Sequence, residues 1–426
     1  WTLNLGEATV GGAALSGTIG FINTGTGAVG ALSGTFGISG ASVFGNTGFA
    51  SGFSGVAAGQ EEHQQVISLT TGAVGVFTET IVVTPVSTSA SDTVILANQT
   101  ITVTGTVLPL GTTYNLGWTP ATIVGGPGND VFNAPSGALN SRDSLDGGGG
   151  YNNVLNLVGG GGVFDLGAPQ LLANIQTVNA TEGSSPTVIF MRNGYSATVD
   201  ISPLSGGSGS AVIYGGSGGD VFNLSTGSDT VILGSAAESV HAGGGTALVQ
   251  ATAAFAGAVV TGGTIGTTTL EITNGGSAAL SGADTYLTVR LDAATHLSLG
   301  GAQFVTAVGS SSGDTLVAGG SNQTLTGGAG ADTLIGYAGY GDRFVDTSSG
   351  LNGDTIVNFG GNDTIDITDL AIGQLGAPVI GTSGSTTTLG LSDGVHGVTI
   401  ALSGAYSAGS FTFGNDGLGG TAIRFV

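Results

Sequence analysis

Short runs of alternating apolar and polar residues recur along the whole chain, broken by turns rich in Gly, Ser, Asn and Thr. Trp1-Thr2-Leu3-Asn4-Leu5, Val66-Ile67-Ser68-Leu69, Glu79-Thr80-Ile81-Val82-Val83 and Gln99-Thr100-Ile101-Thr102-Val103-Thr104 are examples. Period two places alternate side chains on opposite faces of a strand, and β-branched residues favour that geometry. No comparable run has the 3.6-residue period of a helix, so the fold class expected is all-β. In residues 1–107 about seven such strands fit an immunoglobulin-like β-sandwich. Residues 108–124, with Pro109, Pro120 and two aromatics, read as a linker.

From residue 125 a second period takes over. The nonapeptide G-G-x-G-x-D-x-U-x, with U a large apolar residue, stands at Gly125–Asn133, Gly215–Asn223 and Gly327–Ile335. Weaker copies keep its phase: five nonads run from Gly206 to Gln250, three from Gly309 to Ile335, and one spans Gly147–Leu155. Each nonad supplies a six-residue turn and a strand of about three residues, so two nonads close one coil of a β-solenoid. The apolar eighth position (Phe132, Phe222, Val231, Leu316, Leu334) is expected to point into the coil. The sixth position carries an acid that reaches the next coil on the same side, 18 residues away. Asp314 with Asp332, and Asp220 with Glu238, have that spacing, whereas Asp229 has only Ala211 and Ala247 there.

Charge turns this spacing into chemistry. Five arginines and no lysine face 27 acidic residues, for a formal charge of −22. Nucleic acid would be repelled. Clustered carboxylates instead suit a hard divalent cation, and glycine turns let backbone carbonyls converge on it. The expected cofactor is Ca²⁺, with metal candidates Asp314, Asp332, Asp220, Glu238, Asp130 and Asp229. Asp342, Asp354, Asp363, Asp366 and Asp369, in the dense acidic stretch 339–369, complete the set. Asp143, Asp146, Asp284, Asp292 and Asp393 read as solvated.

Catalytic constellations are missing, and the chain is not expected to be an enzyme. Cysteine is absent, which excludes disulfides and thiol chemistry. G-x-S-x-G occurs at Gly215–Gly219 and Gly309–Gly313, but inside repeat turns rather than before a helix. The four histidines are scattered, with no H-E-x-x-H. Only two tryptophans could serve as platforms in a sugar-cleaving cleft. No apolar run approaches the roughly 20 residues of a membrane-spanning helix, so membrane insertion is not expected. The start at Trp1, without a signal peptide, reads as a processed product or a fragment.

The nonads resemble the RTX calcium-binding β-roll of proteins exported by type I secretion. Residues 125–205, reading "GGPGNDVFN…DSLDGGGGYNNVLNL…LLANIQTVNAT", resemble a unit of RTX-type S-layer proteins, though Ser144, Asn152, Asn153 and Gln176 depart from its acidic pattern. Residues 206–369 hold the remaining nonads and a segment similar to a terminal RTX repeat, and the tail 370–426 is similar to the β-rich tails that carry the export signal. "INTGTG" and "QTITVTGTV" in residues 1–107 resemble the choice-of-anchor and Hydin-like sandwiches of surface proteins.

The resemblance implies a secreted calcium-binding structural protein at the bacterial cell surface, self-associating into an S-layer, sheet or filament. Two alternatives stand beside it: an adhesin recognising a cell-surface glycan or a protein, and the non-catalytic RTX portion of a larger toxin or enzyme. Residues 251–308 carry strands but no motif.

Overall fold

The computed structural model describes every residue except 26–29, 91, 206–208, 264–266, 283, 303 and 339–340. The turn opening the run at Gly206, the head of the acidic stretch at Gly339 and Tyr340, and the end of the INTGTG segment therefore lie outside the described residues. The protein is all-β, about 50% strand and 2% helix. It forms two compact units: Trp1–Tyr114 with Val124–Val131 and Asp146–Asn153, and Asn115–Ile123 with Phe132–Leu145 and Val154–Val426.

In the first unit, Gly75–Thr88 lies between Ala31–Gly40 and Gln99–Leu108, antiparallel to both, and Thr2–Thr9 joins the outer side parallel to Gln99–Leu108. A second sheet places Glu61–Leu69 between Leu15–Ile22 and Phe44–Thr47. Alternation decides what each strand buries: Ile67 and Leu69 from one sheet, and Ile81, Val83 and Val103 from the other, enter one shared core. Phe21 stacks on Phe53 at 4.4 Å and Phe36 meets Phe49 edge-on at 4.8 Å, filling the middle with rings.

The second unit is a β-solenoid of about 12 turns. Its strands stack in parallel, each paired with the strand one coil on. Where the nonads are regular the partner lies eighteen residues ahead, as in Val212↔Thr230, Val221↔Ser239 and Thr315↔Thr333. Elsewhere the coil lengthens, and Val163 meets Val188 while Thr187 meets Ala211. The parallel pairing spans residue 205, with Thr198 opposite Val221, and recurs within 251–308, where Thr268 pairs with Leu287 and Thr288 with Thr306. Most three-residue strands of the stack bury only their middle side chain. Phe132, Phe222, Val231, Leu316 and Leu334 are all fully buried, as the repeat predicts.

Two devices hold coils of unequal length in register. Glycine fills places where coils touch: a Cβ on Gly218 would sit 1.6 Å from the Tyr195 carbonyl oxygen. At Gly328, with φ +89°, it would sit 2.3 Å from the Ser310 carbonyl oxygen. Outside, side-chain amides form a ladder from coil to coil. Asn133 donates to Asn115 at 2.8 Å, Asn156 to Asn133 at 2.9 Å and Asn179 to Asn156 at 3.0 Å. The parallel stack ends in antiparallel pairs. Gly397–Ser403 follows Thr355–Val357 and then pairs antiparallel with Thr386–Ser392 and on to Val379–Ser383. Thr421–Phe425 runs antiparallel to Thr364–Ile367.

Candidate metal sites

Sixth-position side chains act first as turn caps. The chain reverses about four residues before each, leaving a backbone N–H for the carboxylate. Gly126 donates to Asp130 Oδ2 at 2.6 Å, Ser310 to Asp314 Oδ2 at 2.6 Å and Gly234 to Glu238 Oε2 at 2.9 Å. The other oxygen reaches the coil before. Thr295 N–H donates to Asp314 Oδ1 at 2.7 Å, Asp314 N–H to Asp332 Oδ1 at 2.6 Å, and Asp332 N–H to Asp354 Oδ1 at 2.9 Å. A second ladder links Gln323 to Asp342 and Asp342 to Asp363, both at 2.9 Å. Within the first unit, Thr112 N–H reaches Asp130 Oδ1 at 2.5 Å.

The acids divide by what is left over. Asp314 and Asp130 have both oxygens hydrogen-bonded, and so do Asp342 and Asp363. Asp369 is held by the Ser348 N–H and hydroxyl, and Asp366 Oδ2 pairs with the Arg343 guanidinium at 2.8 Å, although its Oδ1 has no hydrogen-bond partner. By contrast, Asp220 Oδ2, Glu238 Oε1, Asp332 Oδ2 and Asp354 Oδ2 are buried with no hydrogen-bond partner. Glycine makes their room. Asp332 Oδ2 and Asp354 Oδ2 lie 2.5 and 3.0 Å from where a Cβ on Gly327 would stand, and Glu238 Oε1 lies 2.3 Å from that place on Gly215. The first glycine of the nonad thus clears a cradle between stacked carboxylates.

Burial pushes these carboxyls up, Asp220 and Asp332 to about 6 and Glu238 and Asp354 to about 7. Neighbouring acids add to the effect: Asp220 on Glu238, Asp314 and Asp346 on Asp332, and Asp332 and Asp346 on Asp354. Among the described residues no three His, Asp or Glu side chains converge as a metal-holding group. Backbone carbonyls and water would have to complete an ion's shell, which suits a hard oxygen-seeking cation.

Several placements differ from the sequence expectations. Asp314 and Asp332 stack across an eighteen-residue coil as their spacing predicts, but at Gly327 the acid that meets Asp332 is Asp354, twenty-two residues on, where Thr333 pairs with Thr355. Asp143 and Asp284 are buried rather than solvated, each taking an N–H from another coil, Ala121 and Val260 respectively; Asp143 also caps its turn at Asn140, whereas Asp284 Oδ2 has no hydrogen-bond partner. Asp393 also caps a turn, taking the Val395, His396 and Ala371 N–H groups, which hold its carboxyl well below the usual range. Asp229 has a second acid beside it after all. Glu182, fully buried, hydrogen-bonds it and also accepts from Ser225 and the Gly227 N–H. Gly209 and Gly227 leave the room that Glu182 occupies from a loop with no nonad phase; no sequence signal marks it.

Asp314→Asn tests the capping role. It removes an acceptor from Ser310 and leaves the Thr295 bond possible, so a loss of about 1–3 kcal/mol is expected with calcium or without it. Equilibrium unfolding in both conditions would read this, and a loss confined to the calcium arm would contradict it.

Both G-x-S-x-G segments lie in turns that lead into strands, Val221–Asn223 and Thr315–Val317. No helix among the described residues is long and apolar enough to cross a membrane. No protein-family model matches the chain, and neither does any curated protein sequence.

Proposed function

We propose that the chain is a calcium-ordered structural protein of the bacterial cell surface, exported by a type I route and self-associating there. The observation that carries this reading is the set of buried, unpartnered carboxylate oxygens on stacked coils: Asp332 with Asp354 around Gly327, and Asp220 near Glu238, whose Oε1 lies against Gly215. An ionised carboxylate left so is strongly unfavourable in the interior, and a cation resolves several at once. Asp220, Glu238, Asp332 and Asp354 would hold the ions, at positions the RTX resemblance assigns to calcium. Asp130, Asp314, Asp342 and Asp363 then serve mainly as caps.

The first unit, with two sheets on one core, is consistent with an immunoglobulin-like sandwich serving as a contact module. Val379–Ser383 ends its sheet as an uncharged edge strand, and Val379 is 70% exposed. Such an edge offers unpaired N–H and C=O groups to another copy. Electron microscopy of the purified chain at millimolar calcium and in chelator tests the reading. Sheets or filaments that form only with calcium are expected, and dispersed monomers in both conditions would defeat it.

A further inference from the structure

The first unit holds a buried acid that the repeats do not explain. Glu79 lies on the inner face of Gly75–Thr88 and is 3% exposed. Its Oε1 accepts from Asn46 Nδ2 at 3.0 Å, across the core from the other sheet, while Oε2 has no hydrogen-bond partner. Two more oxygens on the facing sheet are in the same condition, Asn46 Oδ1 and Gln65 Oε1, and Gln65 is 1% exposed. Asn46 stands opposite Ile67, and Gln65 lies two residues before Ile67 on the same inward face, so the two amides are diagonal neighbours.

The amide orientations are set by their partners. Asn46 Nδ2 faces a carboxylate, and Gln65 Nε2 faces the Gly48 carbonyl and Glu62 Oε1 at 3.4 Å each. Rotating either amide would set oxygen against oxygen, so both must turn their acceptors away from these groups. No side-chain cation is at hand: the unit contains no lysine or arginine, and the chain's first arginine is Arg142. The Trp1 amine is spent on the Thr100 carbonyl, and His63 sits with Glu61 at the surface. A proton on Glu79 would serve only one of these acceptors.

We infer that Glu79, Asn46 and Gln65 form a cation site in the first unit, taking calcium or a divalent ion of similar size, separate from the nonads. One carboxylate and two amide oxygens are hard ligands, with water to complete the shell, and their low charge places the affinity in the millimolar range of extracellular modules. An ion here would tie the two sheets together across the core.

Hydrogen exchange on the full chain, with about 2 mM calcium or with chelator in the same sodium chloride buffer, tests this. In the wild type, calcium should slow exchange about tenfold in peptides covering 44–48, 62–67 and 77–81. Glu79→Gln keeps the acceptor for Asn46 and adds a donor for the orphaned oxygens. It should abolish that calcium response and make these peptides slower than wild type in chelator, while the response of residues 309–335 is unchanged. No calcium effect on the three wild-type peptides, or an equal effect in E79Q, would overturn the site. Loss of response at 309–335 alone would count against the nonads as calcium sites and leave this one standing.

Discussion

Calcium added to chelator-stripped protein should raise the unfolding temperature of the solenoid by about 10 °C. Extracellular sites bind at about 0.1–1 mM, so about 10 mM calcium contributes roughly 1.4–2.7 kcal/mol per site. Two cradles, at Asp220/Glu238 and Asp332/Asp354, therefore add about 3–5 kcal/mol. For a unit of this size each kcal/mol moves the midpoint by about 2–4 °C. Calorimetry would read the shift directly. Asp332→Asn with Asp354→Asn should remove about half of it, because the amides supply the charge-free donors that the cradle lacks. Asp314→Asn should leave it intact. An unchanged midpoint between calcium and chelator would end the calcium reading of these coils.

Acidity should act in the opposite sense to ordinary acid denaturation, and only when calcium is withheld. Asp220, Asp229, Asp284 and Asp332 are raised to about 6, and Glu238 and Asp354 to about 7, chiefly by burial. Each holds its proton to a higher pH when folded than when unfolded. Between about pH 4 and 7 the folded chain thus binds more protons, and its stability falls as pH rises through that window. In chelator the midpoint at about pH 5 should exceed that at about pH 8 by about 10 °C. Calcium competes for the ionised form, so in calcium the difference should shrink or reverse. Asp393 and Asp416 are held low by backbone N–H groups, and they destabilise only below the ordinary carboxylate range. Melting curves that are flat across this range in chelator would show that the buried carboxyls are solvated.

The repeat was legible because its two rules are local. An apolar side chain at the eighth position must turn inward, and eighteen residues must close a coil of two nonads; Phe222, Leu316 and Leu334 obey both. What escaped was non-local. Residues 251–308 continue the same stack with coils that break the nonad phase, so their strands pair while their spacing shows no period. Asp354 joins Asp332 across such a lengthened coil, and Glu182 reaches Asp229 from outside any repeat. The Glu79 cluster belongs to sheets that are distant in sequence, and nothing in an alternating strand announces which polar residue will face the core. Asp143 and Asp284 escape too, because an acid outside the nonad looks the same whether it takes an N–H from a buried coil or faces water.

Coils of eighteen to twenty-five residues stack in one register, from Thr315↔Thr333 to Val163↔Val188. Extra residues therefore swell the girth of a coil and leave its pitch alone. Along its axis the solenoid advances by about 4.8 Å per coil whatever the coil contains. The gene can gain or lose residues between strands without altering the solenoid's reach, which changes only by whole coils, as a rack lengthens only by teeth.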